Sequence, residues 1–368
     1  MNGGLVHRDT LDRKTNGSLR PEEHLLIRNG DIAYNMMRMW QGASGLAEND
    51  GIVSPAYVVV APKDDIDPVF ASYWFKSARM IYLFWAYSYG ITGDRLRLYY
   101  KDFAKIPVSV PSKAEQQRIG RVLASVDRAI ERTNRLIEAK RKLKKGLAQQ
   151  LLTGQQRLPG LGAEWQTQQL SELVTLHFSG VDKKSQTNEQ PVQLCNYTDV
   201  YYNDCITPDL DFMQATASKT EIDKFSLKQW DVIITKDSET PEDIAKPAVV
   251  MRNMPNVVCG YHLAILRPTD IAGPFLAQLL RLPRTRYEFY RVANGVTRFG
   301  LTQSTLSRLE LTIPSDDEQT RIAAVLGTAD RSITLLEKKL AALDELKRGL
   351  MQKLLNPDET GRQAQDGF

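Results

Sequence analysis

Histidine and cysteine are scarce in this 368-residue chain: His7, His24, His177 and His262, and Cys195, Cys205 and Cys259. The cysteines are odd in number and form no CxxC pair, which fits reduced thiols better than a disulfide framework. The histidines fall at no metal-ligand spacing. There is no GxxxxGK[ST] phosphate loop, no GxGxxG turn after a strand and no HExxH helix. No NPPY or DPPY tetrapeptide exists to hold a flipped adenine, so the chain is not expected to methylate DNA alone. No motif places a base beside any serine. No apolar run nears the roughly 20 residues of a membrane span, and the polar start MNGGLVHRDT is unlike a signal peptide. A cytoplasmic, non-enzymatic chain without metal, cofactor or membrane partner is the expectation.

What is present is a repeat. The segment PSKAEQQRIGRVLASVDRAIERTNRLIEAKRKLKKGLAQQLLT from Pro111 returns from Pro314 as PSDDEQTRIAAVLGTADRSITLLEKKLAALDELKRGLMQKLLN, at an offset of 203 residues. That is too long a period for a solenoid and marks two copies of a larger unit, each closed by one long helix. The boundaries read as a first domain (1–110), a first helix (111–153), a second domain (154–313), a second helix (314–356) and a polar tail (357–368).

Each helical segment begins after Pro-Ser, with Ser112 or Ser315 as N-cap and Glu115 or Glu318 placed to complete a capping box. Helix over about 38 residues spans about 57 Å. In the second copy Ile322, Leu326, Ala329, Ile333, Leu336, Leu340, Leu343, Leu350 and Leu354 form a heptad seam that Lys347 interrupts. The matching stripe in the first copy, Ile119, Leu123, Val126, Ile130, Ile137, Leu147 and Leu151, is interrupted by Thr133, Lys140 and Lys144, where Leu136 and Leu143 are expected to take over. Narrow stripes of this kind pair helix with helix, and the chain path makes the pair antiparallel. Segment 111–153 holds 11 basic against 4 acidic residues, so the chain's net charge of +4 is concentrated there. Such a face is either merely solvated or follows a polyanion.

The intervening segments correspond loosely. GIVSPAYVVVAP parallels NVVCGYHLAILRP, and runs such as AYVVVA, AVVMR and HLAILR are of β type. PVFASYWFKSARMIYLFWAYS and GPFLAQLLRLPRTRYEFYRV read as helices. Only 30 residues precede Asp31 where 66 separate Trp165 from Asp231, so the first domain reads as short at its start.

The remaining polar chemistry suits nucleic acid. Asn35, Arg38 and Gln41 follow a strand in NMMRMWQG; arginine matches guanine O6/N7, and asparagine or glutamine matches adenine N6/N7. Arg95 and Arg298 follow Gly-containing turns in both copies, flanked by Arg97 and Gln303, while Lys183, Lys184 and Lys236 lie in polar loops of the second domain. Plainer roles stay open: Trp40 as core, Asn35 and Asn196 as turn residues bonding their own backbone, Arg95 and Arg298 as holders of structural carboxylates.

The repeated P-x3-E-Q-x2-I starts, the ends GLAQQLLTG and GLMQKLLNP, the segments NMMRMWQGASG and GIVSPAYVV, and the G-[IV]-T…R…L stretches resemble the specificity (S) subunit of type I restriction-modification systems. The resemblance implies an α+β fold: two α/β target recognition domains separated by two long antiparallel coiled-coil helices. It implies that each domain reads one half of a bipartite site in double-stranded DNA, with the helices as spacer. It also implies docking of two methyltransferase (M) subunits and of restriction (R) subunits, which would carry S-adenosylmethionine, ATP and Mg2+. Two other readings stand beside it: a specificity subunit of a type II restriction-methylation enzyme, and a coiled-coil protein scaffold.

Overall fold

The computed structural model describes residues 4–7, 20–295 and 297–355; the tail 357–368 lies outside the described residues. The chain divides into two compact units, one of residues 1–137 with 336–368 and one of residues 138–335. The two long helices, Lys113–Leu152 and Asp316–Leu355, are 40 residues each and contribute to both.

The first unit is built on a three-stranded antiparallel sheet in which Ile32–Asn35 lies between Ser44–Leu46 and Tyr57–Val60. The period of two sorts its side chains. Val58 and Val60 face Phe70, Trp74, Phe75 and Phe84, whereas Tyr57 and Val59 face Ile27, Ala33 and Ala47. Phe103 ties the aromatic side together, with ring centroids 5.3 Å from Tyr34 and 5.7 Å from Phe75. The stretch read as one helix is two, Pro68–Trp74 and Ala78–Ala86, because the Ser77 hydroxyl caps Met80 N at 3.3 Å.

In the second unit Leu263–Pro268, Val232–Thr235 and Pro247–Val250 form the middle of a five-stranded sheet. Apart from Thr235 and Arg267 these strands are apolar, since both faces are covered. Val232, Ile234, Ala264 and Leu266 pack toward the helix Gly273–Leu280, while Ile233, Leu263 and Ile265 pack against the four-stranded sheet that includes Gln190–Cys195 and Met254–Cys259. Here too the expected single helix is broken, at Pro283, into Gly273–Leu280 and Pro283–Val292. The strand Leu263–Pro268 is paired on both edges, whereas Tyr57–Val60 has a partner on one edge only among the described residues.

The helices are antiparallel within each unit. In the first, Ile119 and Leu123 share a core with Leu350, Met351, Leu354 and Leu355; in the second, Leu151 and Leu152 share one with Ile322 and Leu326. Seam residues Ile137 and Ile333 are buried, and Ile130, Leu336, Leu340 and Leu343 are half-buried. Leu136 and Leu143 do not replace the polar positions: they remain 45% and 56% exposed. Three of the four polar positions find partners there. The Thr133 hydroxyl donates to Ala129 O at 2.8 Å, Lys144 ion-pairs with Asp330, and Lys347 reaches Asp127 at 2.6 Å. Asp127 also accepts the Tyr73 hydroxyl at 2.6 Å, and Asp330 accepts the Gln278 amide at 2.8 Å.

At the helix starts Ser112 Oγ accepts from Glu115 N at 3.4 Å. Glu318 does not complete a capping box; it is buried, and both its oxygens accept from Arg157 at 2.7 Å. A carboxylate this buried needs a fixed countercharge, which a cap to a neutral amide does not supply. The repeated glutamines bolt each helix to its own domain. Gln116 accepts from Asp67 N (2.8 Å) and donates to Pro111 O (2.9 Å); Gln319 accepts from Ala272 N and donates to Pro314 O, both at 2.9 Å. Both are essentially fully buried. Gln319→Ala leaves two backbone groups unpaired and is expected to cost about 2 kcal/mol or more. Exposed Gln117→Ala should stay within about 0.5 kcal/mol, and urea unfolding of the full chain compares the two.

Candidate nucleic-acid interface

In the first unit, the strand Ile32–Asn35 runs into a loop whose shape its own residues dictate. Asn35 Oδ1 accepts from Met37 N at 3.0 Å, a turn role that occupies this oxygen. Met39 is fully buried and plugs the loop into the core, and Gly42 closes it at a left-handed φ of 78°. Arg38 and Gln41 are left exposed on its outer side. Trp40 is half-buried and donates its indole N–H to Met37 O at 3.0 Å.

A second loop docks on the first. Tyr89 and Arg97 exchange backbone hydrogen bonds of 3.2 and 3.0 Å, and Leu98 N, next in the chain, donates to Met36 O at 2.8 Å. Between them Arg95 is presented at the tip, exposed. The turn requires Gly90, where a Cβ would stand 2.2 Å from Arg95 O. The two loops enclose a cleft of about 840 Å³ lined by Arg38, Gln41, Arg95 and Arg97 together with Met37, Trp40, Tyr89 and Tyr99. Four of the basic and amide residues singled out in the sequence thus meet in one place. Among the described residues, no carboxylate pairs with Arg38 or Arg95. The Tyr89 ring is held by its hydroxyl, which donates to Asp102 at 2.6 Å and, as the largest influence, lowers that carboxyl's pKa. Free guanidiniums beside aromatic faces suit phosphates, guanine edges and stacked bases.

The second unit repeats this frame. Lys236 N donates to His262 O as Met36 N does to Ala56 O, and Leu301 N donates to Lys236 O as Leu98 N does to Met36 O. Asn294 and Gly300 exchange backbone hydrogen bonds of 2.9 Å, in the place of Tyr89 and Arg97. Arg95 and Arg298 both lie three residues before the docking leucine. Gly295 (φ 123°) lies in the turn, where a Cβ would stand 1.8 Å from Arg298 O. Arg298 and Gln303 are exposed, with Gln303 opening the short helix Gln303–Ser307.

Lys236 points elsewhere: its ammonium donates to Ser179 O at 3.0 Å and lies 4.6 Å from the Tyr261 ring centroid. Burial lowers its pKa. Lys183 and Lys184 are exposed on the loop that follows Ser179, in a turn where Lys184 N donates to Asp182 Oδ1 at 2.7 Å. Tyr89, Tyr261 and the pairing of Asp237 with His262 escaped the sequence reading. Asp237 and His262 are 25 residues apart and meet at 3.1 Å only because strand pairing brings their loops together. The alignment of NVVCGYHLAILRP with GIVSPAYVVVAP placed His262 opposite the first unit's loop but assigned it no role. Among the described residues no group of His, Cys, Asp or Glu could hold a metal ion, and no helix is long and apolar enough to cross a membrane.

A pair of docked loops with an exposed arginine at the tip is thus built twice in one chain. The chain matches the type I restriction modification DNA specificity domain over residues 17–141 and 162–345, and it belongs to that family. It is 21% identical over 354 residues to the MjaVIII specificity subunit of a type I restriction enzyme from Methanocaldococcus jannaschii, covering 89% of this chain and 80% of that one. Its fold is similar to the crystal structure of the type I S subunit from M. genitalium, with a TM-score of 0.58, 17% identity and 96% and 92% of the two chains covered. A second similar structure concerns complex assembly and conformational transition of a type I restriction-modification system (TM-score 0.50, 17% identity, 92% and 85% covered). The chain is therefore a DNA-recognition subunit of this class and carries no catalytic step of its own.

Gly295→Ala tests the loop geometry. The methyl group cannot fit beside Arg298 O, so the turn must open. DNA affinity should fall about tenfold or more, equivalent to about 1.4 kcal/mol, with the melting temperature shifted by only a few degrees, about 1 kcal/mol. Duplex binding and thermal unfolding of the same sample check this.

Proposed function

We propose that each unit reads one half of a bipartite site in double-stranded DNA, as the recognition component of a type I restriction-modification assembly. The observation that carries this reading is the duplicated arginine loop: Arg95 and Arg298 occupy the same place in the same backbone frame, each packed by a glycine that tolerates no side chain. The two long helices connect the readers along the chain and set the gap between half-sites.

Two methyltransferase subunits dock on the helices, one for each copy of the repeat. Supporting this, apolar residues recur at solvent-exposed repeat-equivalent positions: Val122 (37%) with Val325 (38%), and Leu143 (56%) with Leu346 (50%). A residue left apolar and exposed twice at the same helix position suits two copies of one partner. Those subunits carry S-adenosylmethionine, and restriction subunits carry ATP and Mg2+; the assembly works in the cytoplasm. The basic excess of segment 111–153, 11 basic against 4 acidic residues, adds affinity independent of sequence.

The test uses the full chain assembled with its methyltransferase and a randomised duplex library. Arg298→Ala should weaken selection at one half-site by about tenfold, about 1–3 kcal/mol for a base contact, and leave the other half intact. Equal loss at both halves refutes separate readers. Inserting four residues into Lys113–Leu152 should change the preferred gap between half-sites, and an unchanged gap refutes the spacer role.

A further inference from the structure

The two units share a backbone frame but differ in the chemistry mounted on it. Equivalent positions follow from the hydrogen bonds that Met36 and Lys236 make with Ala56 and His262, and with Leu98 and Leu301. Across this frame Met37 of the first unit becomes Asp237, Arg38 becomes Ser238, Ala56 becomes His262 and Arg97 becomes Gly300. Only the arginine at the tip, Arg95 or Arg298, is kept. Two guanidiniums are thereby lost and a carboxylate is gained.

The carboxylate is held in position. Strand Asp237–Ser238 pairs with Phe299–Gly300, setting Asp237 opposite Gly300, one residue past Phe299 and two past Arg298. Asp237 Oδ2 lies 3.1 Å from His262 Nδ1, and the His262 ring stands edge-on to Tyr261 with centroids 4.8 Å apart. Both partners of the pair remain about half exposed, at 40% and 49%. Asp237 Oδ1 meets no side chain from Gly300, where the first unit carries Arg97. Among the described residues Arg298 makes no ion pair, so it does not neutralise this carboxylate.

We infer that Asp237, positioned by His262, reads a cytosine in the half-site of the second unit, with Arg298 directed to the guanine paired with it. This rests on the reading that each unit recognises one half-site. A C·G pair shows the major groove one amino donor on cytosine N4 and two acceptors on guanine, O6 and N7. A carboxylate beside a guanidinium is the complement of that pattern. Adenine also offers an amino group, but its N7 acceptor lies next to it and repels a carboxylate. The first unit carries Met37 where the second carries Asp237, so the two halves of the site differ in chemistry at this position.

The test is Asp237→Asn, an isosteric change, in the full chain assembled with its methyltransferase and selected against a randomised duplex library. The wild type should show one position in one half-site fixed as cytosine. The variant should lose that preference by about tenfold or more and shift toward adenine, which an asparagine amide matches, while the other half-site is unchanged. His262→Ala, at an exposed ring, should weaken the same position by a smaller factor and covers the case in which the first variant folds poorly. If Asp237→Asn and His262→Ala both keep the wild-type preference at every position, the assignment is overturned and the two-reader function stands. If the wild-type complex selects no bipartite site at all, both fall.

Discussion

The two long helices are held in register by an aspartate of one meeting a lysine of the other, once in each unit. Asp127 pairs with Lys347 and Asp330 with Lys144, and both pairs obey the 203-residue offset. Half-buried ion pairs add less stability than leucines of equal volume, but they penalise wrong registers. A slip by one heptad would set Asp127 against Leu340 or Leu354 and Asp330 against Ile137 or Leu151, leaving each aspartate without its countercharge. Each aspartate is further fixed by a side chain of its own domain, Tyr73 or Gln278. The pairs therefore do more than align helices. They transmit the register to the packing of the domain beside them, and burial together with the Asp127 hydrogen bond pushes the Tyr73 hydroxyl's pKa up.

The second coupling of helix to domain is the buried glutamine. A side-chain amide can satisfy one donor and one acceptor at once, and Gln116 and Gln319 do so with the backbone before a helix of their domain and the proline before their own helix. A carboxylate in this place would present two acceptors to one donor and one acceptor. Glutamine is chemically the right residue, and it was visible in the repeat as Glu-Gln without its purpose being visible.

What the sequence made legible follows the range of the interactions. The helices, their antiparallel seam and the apolar strands depend on local periodicity, and the repeat doubled each signal. The helix breaks at Ser77 and Pro283 are local, and the other exceptions were decided by contacts distant in sequence. Lys144 and Lys347 looked like defects in a stripe, and Leu136 and Leu143 like substitutes in the first copy, because the countercharges stand on the other helix. Glu318 looked like a cap because Arg157 is 161 residues away in the chain. Within the candidate interface, Arg38, Gln41, Arg95 and Arg97 were found from residue type and turn context, since arginine after a glycine turn is a local pattern. Asp237 with His262 was not, since an acceptor paired across a sheet leaves no motif.

That difference bears on how one fold comes to read different sequences. The loop frame is specified by backbone hydrogen bonds and by two glycines whose missing side chains leave room for a carbonyl oxygen. None of these depends on the residues facing outward. Met37, Arg38, Ala56 and Arg97 can therefore be exchanged for Asp237, Ser238, His262 and Gly300 without disturbing the frame, and both sets exist in this one chain. Donor and acceptor patterns vary at exposed positions, while the energy of folding resides in the seam, the glutamines and the buried strands. On the proposed reading, recognition can diverge between the two units because stability does not pass through these outward-facing residues.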